Sequence, residues 1–352
     1  MINKLGKMSR VINTVPGSTM HNISFSESEL GLGLTLTGGQ SFRWVEVDGA
    51  QTFRGIFAGR VWTLKQNKTH LQYRVHGPLE SDPKNRQILS RYLRKEISLK
   101  HNVRKWSAVD PHFKKAWETV KGVRILNQDI VENLFAFICS SNNNIIRISG
   151  MVDKLCRFFG KKLCCIDDKQ YYDFPTIESL AEKNVEMILK EAGFGYRAGY
   201  IANTAKRLIE LGGETWLKQL HKDTDQSYPI AREKLITLPG IGPKVADCIC
   251  LMSLGYLEAI PVDTHIFQVA RACYMPQLET QKTVTPKIHN EVSTFLRNLW
   301  GPLAGWAQAV VFCAKLNNND LALSKKKRGS SNKAVNGKMV KKLKKSVVRS
   351  KE

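Results

Sequence analysis

Apolar and polar positions alternate in Leu32-Gly33-Leu34-Thr35-Leu36 and again in Arg60-Val61-Trp62-Thr63-Leu64, and alternation of this period predicts strands. Gly38-Gly39 and Asp48-Gly49 read as turns between such segments. Residues 23–77 therefore predict an antiparallel sheet, with helices near 84–98 and 110–120 packed on it. From about residue 124 the period changes: Ile130, Leu134, Phe137 and Ile138 recur at helical spacing. Further helices are predicted near 145–159, 176–191, 196–211, 229–237, 244–255, 264–273, 284–299 and 303–317. The stretch Ser140-Ser141-Asn142-Asn143-Asn144 interrupts the first of them, and no repeat of 20–50 residues is visible. The pattern is that of an α+β protein: an antiparallel sheet domain over 23–123, then an all-helical region over 124–322. Residues 1–22 read as a disordered start and 323–352 as a basic disordered tail.

Charge changes this picture most. The 352 residues carry a formal net charge of +23. The segment 325–352 holds twelve Lys/Arg and one Glu, which leaves about +12 on the rest. The part expected to fold is thus basic in its own right, and a polyanion, above all nucleic acid, is the expected partner. The clusters Lys325-Lys326-Lys327-Arg328 and Lys341-Lys342-Leu343-Lys344-Lys345 resemble a nuclear import signal. Lys4, Lys7 and Arg10, with no acid in the first twenty residues, leave a mitochondrial share open. The eight cysteines follow no disulfide-like spacing and include no C-x-x-C pair, which argues for reduced thiols and against a zinc ribbon or iron–sulfur cluster. No apolar run approaches the ~20 residues of a membrane span.

The segment richest in chemistry is Leu238-Pro239-Gly240-Ile241-Gly242-Pro243-Lys244, followed by Pro261-Val262-Asp263. Gly240 and Gly242 suit a tight turn between two helices near 229–255, and they let the backbone approach a phosphate. A helix starting near Pro243 would aim free amides outward as an anion site. Such a turn alone implies only sequence-independent DNA contact. Lys244 on the first helical turn and Asp263 just before the next helix add a candidate amine nucleophile and a carboxylate partner. Together they suggest cleavage of a glycosidic bond in DNA.

These segments resemble the helix-hairpin-helix DNA glycosylase superfamily. Three more narrow the match: Gly39-Gln40-Ser41-Phe42-Arg43-Trp44, Ser141-Asn142-Asn143-Asn144, and Gly301-Pro302-Leu303-Ala304-Gly305-Trp306-Ala307-Gln308. The combination looks like a eukaryotic 8-oxoguanine DNA glycosylase/lyase, and the resemblance spans roughly residues 23–317. It implies that Lys244 attacks the sugar carbon and forms a Schiff base that permits strand cleavage by β-elimination. It implies that Asp263 both caps its helix and stabilises the cationic sugar. Cys248, one turn after Lys244, and Phe312 would sandwich the extruded base; Gln308 would read its Watson–Crick edge. The Gly39 carbonyl would attract the hydrogen that the oxidised base carries at N7 and repel the lone pair of normal guanine. Asn142 would fill the gap left by the flipped base and Tyr196 would wedge the stack. Arg147 and Arg197 would bond the orphaned cytosine, and His265 a phosphate. One position departs from the family: Lys315 stands where an acid pairs with the histidine matched by His265.

The resemblance thus implies a base-excision enzyme for 8-oxoguanine opposite cytosine. It would act on double-stranded DNA containing an oxidised purine, with no metal or organic cofactor and no membrane. A monomer is the expected state. Two other readings stay open. A glycosylase for another damaged purine would use water and have no need of Lys244. A noncatalytic DNA-binding module would explain the charge and the hairpin glycines, but not Lys244 with Asp263, nor Gln308 with Phe312.

Overall fold

The computed structural model describes residues 20–76 and 82–317. The basic tail and the first nineteen residues lie outside the described residues. Five strands form one antiparallel sheet: β1 (His21–Ser24), β2 (Val45–Glu46), β3 (Thr52–Phe57), β4 (Arg60–Gln66) and β5 (His70–His76), in the order β1-β5-β4-β3-β2. His21 and Asn22, expected in the disordered start, belong to β1 and pair with Tyr73 and Gln72. The alternation of β4 buries Val61, Trp62 and Leu64, with Trp62 opposite Gly55 and Val75. Gly55 has to be glycine, since a Cβ there would lie 2.4 Å from the Trp44 ring. Trp44 in turn donates from Nε1 to the Tyr92 hydroxyl at 3.0 Å, fastening the helix Asp82–Tyr92 to the sheet.

The sequence-based expectation fails at Leu32–Thr37, which is helical and not a strand. Leu32, Leu34 and Leu36 satisfy a period of two, but Leu32, Thr35 and Leu36 satisfy i, i+3, i+4, and these three are the buried ones. The helix expected over 84–98 ends at Tyr92, and a separate helix runs Leu99–Val109. Ser98 caps it, and the distant Glu29 carboxylate accepts from the Leu99 amide at 2.8 Å and the Lys100 amide at 3.1 Å. That contact spans some seventy residues of sequence, so a local pattern does not contain it. The helix expected over 176–191 is split into Ile177–Leu180 and Val185–Glu191, and a short helix Gly213–Lys218 is additional.

The second region is not purely helical. Strands β6 (Lys162–Ile166) and β7 (Lys169–Tyr172) form an antiparallel pair joined at Asp167-Asp168, both at positive φ. Cys164, Ile166 and Tyr171 pack on Val61 of the large sheet, and Arg54 donates to Asp167 at 2.8 Å. The turn carries no glycine, so the usual hairpin signal is missing. The main core is otherwise helical. The helix Ile130–Ile138 is buried at eight of its nine positions and runs through the middle of that core. Helices Leu99–Val109 and Pro111–Thr119 pack on this core as well. Trp106 donates to the Trp300 carbonyl, and Asp110 accepts from Trp300 and Tyr274.

Candidate active site

Helices Tyr228–Ile236 and Pro243–Met252 flank the turn that the sequence singled out. Gly240 sits at φ +78°, and a Cβ there would lie 2.6 Å from the Tyr200 ring, so only glycine fits. Gly242 does not need its conformational freedom in the same way: its φ is −93° and no atom lies within 4 Å of a Cβ built on it. It is the N-cap of the second helix and leaves the first-turn amides without a side-chain cap. Pro243 at the start has no amide proton to satisfy, which suits that position.

Lys244 projects from this first turn into a cavity that Gly39, Cys248, Asp263, Gln308 and Phe312 also line. Its Nζ donates to Ser140 Oγ at 3.3 Å and lies 4.8 Å from the centre of the Phe137 ring. Cys248, one turn along the same helix, is buried on the cavity wall. Burial pushes its thiol up to about 11, and the Lys244 charge only partly opposes this, so the sulfur is a neutral, polarizable surface. Asp263 lines the cavity from another element. It caps the helix Thr264–Val269 by accepting from the Ile266 amide at 2.8 Å. Among the described residues it forms no ion pair with Lys244.

The helix over 304–317 supplies the next wall with Gln308 and Phe312, four residues apart and therefore on one face. Gln308 is only 6% exposed, and it lines the cavity without a side-chain hydrogen bond among the described residues. Phe312 is half-buried and meets the His265 ring edge to face at 5.9 Å. His265 Nδ1 is buried without a partner. Lys315 makes no hydrogen bond or ion pair among the described residues; its charge reaches the Cys273 thiol instead.

Gly39 closes the cavity from the sheet side. Its φ is +86°, and a Cβ would meet Ile145 Cδ1 at 3.3 Å and Phe312 Cε1 at 3.6 Å. The next residue, Gln40, is the strut that fixes it. Gln40 Nε2 donates to the Arg124 carbonyl at 2.7 Å, its Oε1 accepts from the Leu126 amide at 3.0 Å, and its own carbonyl accepts from Gln128 at 3.0 Å. Arg124, fully buried, donates to the carbonyls of Leu93, Ile97 and Glu29. Sequence reasoning quoted Gln40 without assigning it a role. It also missed Phe137 and Ser140 beneath Lys244, for which no local signal exists.

The residues expected to face the opposite strand lie beside the cavity and differ in exposure. Asn142 is exposed at φ +46°, in a loop that Asn143 holds by donating to the Cys139 carbonyl at 2.9 Å. Arg147 is exposed, 3.5 Å from the Gly193 carbonyl. Tyr196 is 53% exposed, and its hydroxyl donates to the Ser141 carbonyl at 3.1 Å. Arg197 differs from expectation. It is 3% exposed, and its guanidinium donates to the carbonyls of Ser141, Asn142 and Phe194. It braces the Asn142 loop from inside rather than pointing outward. Among the described residues no cluster of three or more His, Cys, Asp or Glu is arranged as a metal site, and no helix is long and apolar enough to cross a membrane.

A sheet region, a helical hairpin core and a lysine–aspartate cavity between them define a helix-hairpin-helix base-excision DNA repair protein. The corresponding domain description, "HhH-GPD superfamily base excision DNA repair protein", matches residues 135–293, and "8-oxoguanine DNA glycosylase, N-terminal domain" matches residues 22–134. The chain is 40% identical over 299 residues to the N-glycosylase/DNA lyase OGG1 of Arabidopsis thaliana, covering 84% of this chain and 80% of that one. Its fold is similar to MBOgg1 in complex with a low-affinity DNA ligand, with a TM-score of 0.74, 30% identity, and 87% and 99% of the two chains covered. It is also similar to the Clostridium acetobutylicum 8-oxoguanine glycosylase/lyase in complex with double-stranded DNA containing cytosine opposite 8-oxoguanine. There the TM-score is 0.73 at 27% identity, covering 85% of this chain and 98% of that one. The chain belongs to the 8-oxoguanine DNA glycosylase/lyase family.

Proposed function

We propose that the protein removes 8-oxoguanine opposite cytosine from duplex DNA and nicks the strand through a Schiff base on Lys244. The observation that carries this reading is the convergence on one cavity of an amine, a carboxylate and a primary amide, from Lys244, Asp263 and Gln308. Once its ammonium has given up a proton to solvent, the Lys244 amine forms a bond to C1′ as the C1′–N9 bond breaks; the base leaves with that electron pair and takes up a proton, and the new C1′–N ammonium sheds one. The Asp263 carboxylate stabilises the positive charge that develops on the sugar. Sugar ring opening then gives the Schiff base. Loss of a C2′ proton breaks the C3′–O bond and releases the 3′ phosphate oxygen. Cys248 and Phe312 offer the two faces between which a flipped base would stack, Gln308 its edge contact, and the Gly39 carbonyl the test for the N7 hydrogen.

On the DNA side, Gly240, Gly242 and His265 take backbone phosphates. Asn142 fills the gap in the stack, Tyr196 wedges it, and Arg147 contacts the orphaned cytosine, joined by Arg197 once that side chain gives up its loop carbonyls. The protein acts as a monomer. It is directed to the nucleus by its basic tail, with a mitochondrial share through its first residues; a fluorescent fusion lacking residues 323–352 should lose nuclear accumulation.

Borohydride trapping tests the chemistry. The protein, incubated with a duplex carrying one 8-oxoguanine opposite cytosine and then reduced, should give a covalent adduct. The Lys244→Gln variant and undamaged DNA should give none. Trapping in Lys244→Gln equal to the parent would overturn the assignment, and base release without trapping would point to a water-using glycosylase.

A further inference from the structure

Asp247 is fully buried on the helix that carries Lys244 and directly precedes Cys248. Its Oδ1 accepts from the Tyr228 hydroxyl and from Arg232 Nε, both at 2.7 Å, which ties the second helix of the hairpin to the first. Its Oδ2 has no hydrogen-bond partner among the described residues, although His289 Nε2 lies 3.1 Å away. His289 is 3% exposed on the helix Pro286–Trp300, and the same Nε2 lies 3.4 Å from the amide of Val262, the residue before Asp263. Nδ1 faces Arg232 Nη2 at 3.4 Å. One imidazole therefore fills the space between the helix bearing Lys244 and the segment bearing Asp263, without lining the cavity itself.

We propose that His289 is a positioning residue that sets the separation of Lys244 and Asp263. The inference rests on the roles given to those two residues above. Attack at C1′ and stabilisation of the sugar charge need both groups placed at once, and a displacement of about 1 Å can cost about 100-fold in rate. The two groups lie on different helices, and this ring touches both the helix Pro243–Met252 and the Asp263 segment. As placed, Nε2 accepts from the Val262 amide and leaves Asp247 Oδ2 unsatisfied, since one ring nitrogen cannot accept and donate together. A glutamine side chain carries a separate donor and acceptor and can serve both. A leucine has comparable bulk and serves neither, leaving a buried carboxylate oxygen facing carbon.

The test uses the full chain with His289→Leu, His289→Gln and His289→Asn. Single-turnover release of 8-oxoguanine is measured per active site, with sites counted by borohydride trapping. Affinity for a duplex with a tetrahydrofuran abasic analogue and the thermal midpoint are measured alongside. Leucine should slow release by about tenfold or more while DNA affinity stays within about twofold; glutamine should restore the rate to within about threefold. Asparagine, with the same groups on a shorter stem, should fall below glutamine, and this comparison stands even where the leucine variant does not fold. Release at the parental rate per active site in His289→Leu, or equal rates for asparagine and glutamine, would overturn the proposal. So would a glutamine variant that recovers the thermal midpoint without the rate. If Lys244→Gln still traps, the site assignment itself has failed; if it does not trap while His289→Leu is parental, only the positioning role has failed.

Discussion

Two loops flank the cavity, and they are held in opposite ways. The loop at Gly39 is fixed from within the core by neutral amides: Gln40 and Gln128 satisfy backbone donors and acceptors that no other group reaches. The loop at Asn142 is exposed, and besides Asn143 and Tyr196 it is held by a cation, since Arg197 donates to the carbonyls of Ser141 and Asn142. Neutral buried hydrogen bonds have no better partner to exchange for. A guanidinium held by carbonyls does, because phosphate and cytosine oxygens compete for the same donors. The wall that would read the lesion is thus preorganised, whereas the brace of the opposite-strand loop can be transferred to DNA. Arg43 links the two, since it lies three residues after Gln40 and pairs with Glu132 on the helix leading to Ser140.

The largest expected effect comes from stiffening what is already stiff. Gly39→Ala places a Cβ 3.3 Å from Ile145 at φ +86°, a strain of about 1–2 kcal/mol. Single-turnover release of 8-oxoguanine should fall at least about tenfold, with affinity for undamaged duplex nearly unchanged. A parental release rate would mean the Gly39 wall is not rigid.

A middle-sized effect concerns the link. Burial raises the Glu132 carboxyl to about 7 despite Arg43 beside it. A carboxyl whose folded value lies above its unfolded value of 4.5 contributes most stability below that unfolded value, and the contribution is lost as pH rises toward 7. The thermal midpoint should therefore drop between pH 5 and 7.5, and Glu132→Gln, which keeps an acceptor for Arg43, should flatten that slope. An unchanged slope in the variant would remove Glu132 as its source.

The smallest effect on stability belongs to the exposed loop. Asn142→Ala should cost no more than about 1 kcal/mol of unfolding free energy, since the side chain is exposed and only the φ of +46° disfavours alanine. It should nevertheless weaken the preference for lesion-containing over undamaged duplex several-fold, as measured by competition binding. A large loss of stability with intact preference would reverse the contrast between the loops.

Much of the fold and many of the cavity residues were legible because they rest on local rules. The Gly-x-Gly turn, Pro243 at a helix start, Asp263 as a cap and the i, i+4 spacings of Lys244 with Cys248 and Gln308 with Phe312 are all short-range. The errors fall where two periods compete over five residues, as at Leu32–Thr37, or where a turn lacks its usual glycine, as at Asp167-Asp168. The family resemblance implies a cytosine contact for Arg197, and no local signal shows that its side chain is buried. Its burial depends on where the Ser141 carbonyl lies, 56 positions away in sequence.

By itself the sequence determined the order of sheet and helices, the basic character, the hairpin and, through its family resemblance, the candidate residues of the cavity, since these follow from short-range spacing and side-chain chemistry. The tertiary structure alone decided which side chains sit around them. Ser140 and Phe137 lie under the Lys244 amine, Gln40 is pinned to Arg124 and Leu126, and His289 lies between Asp247 and Val262. Contacts of this kind join residues tens of positions apart, and they are fixed by how the two cores close on each other, not by any pattern within one segment.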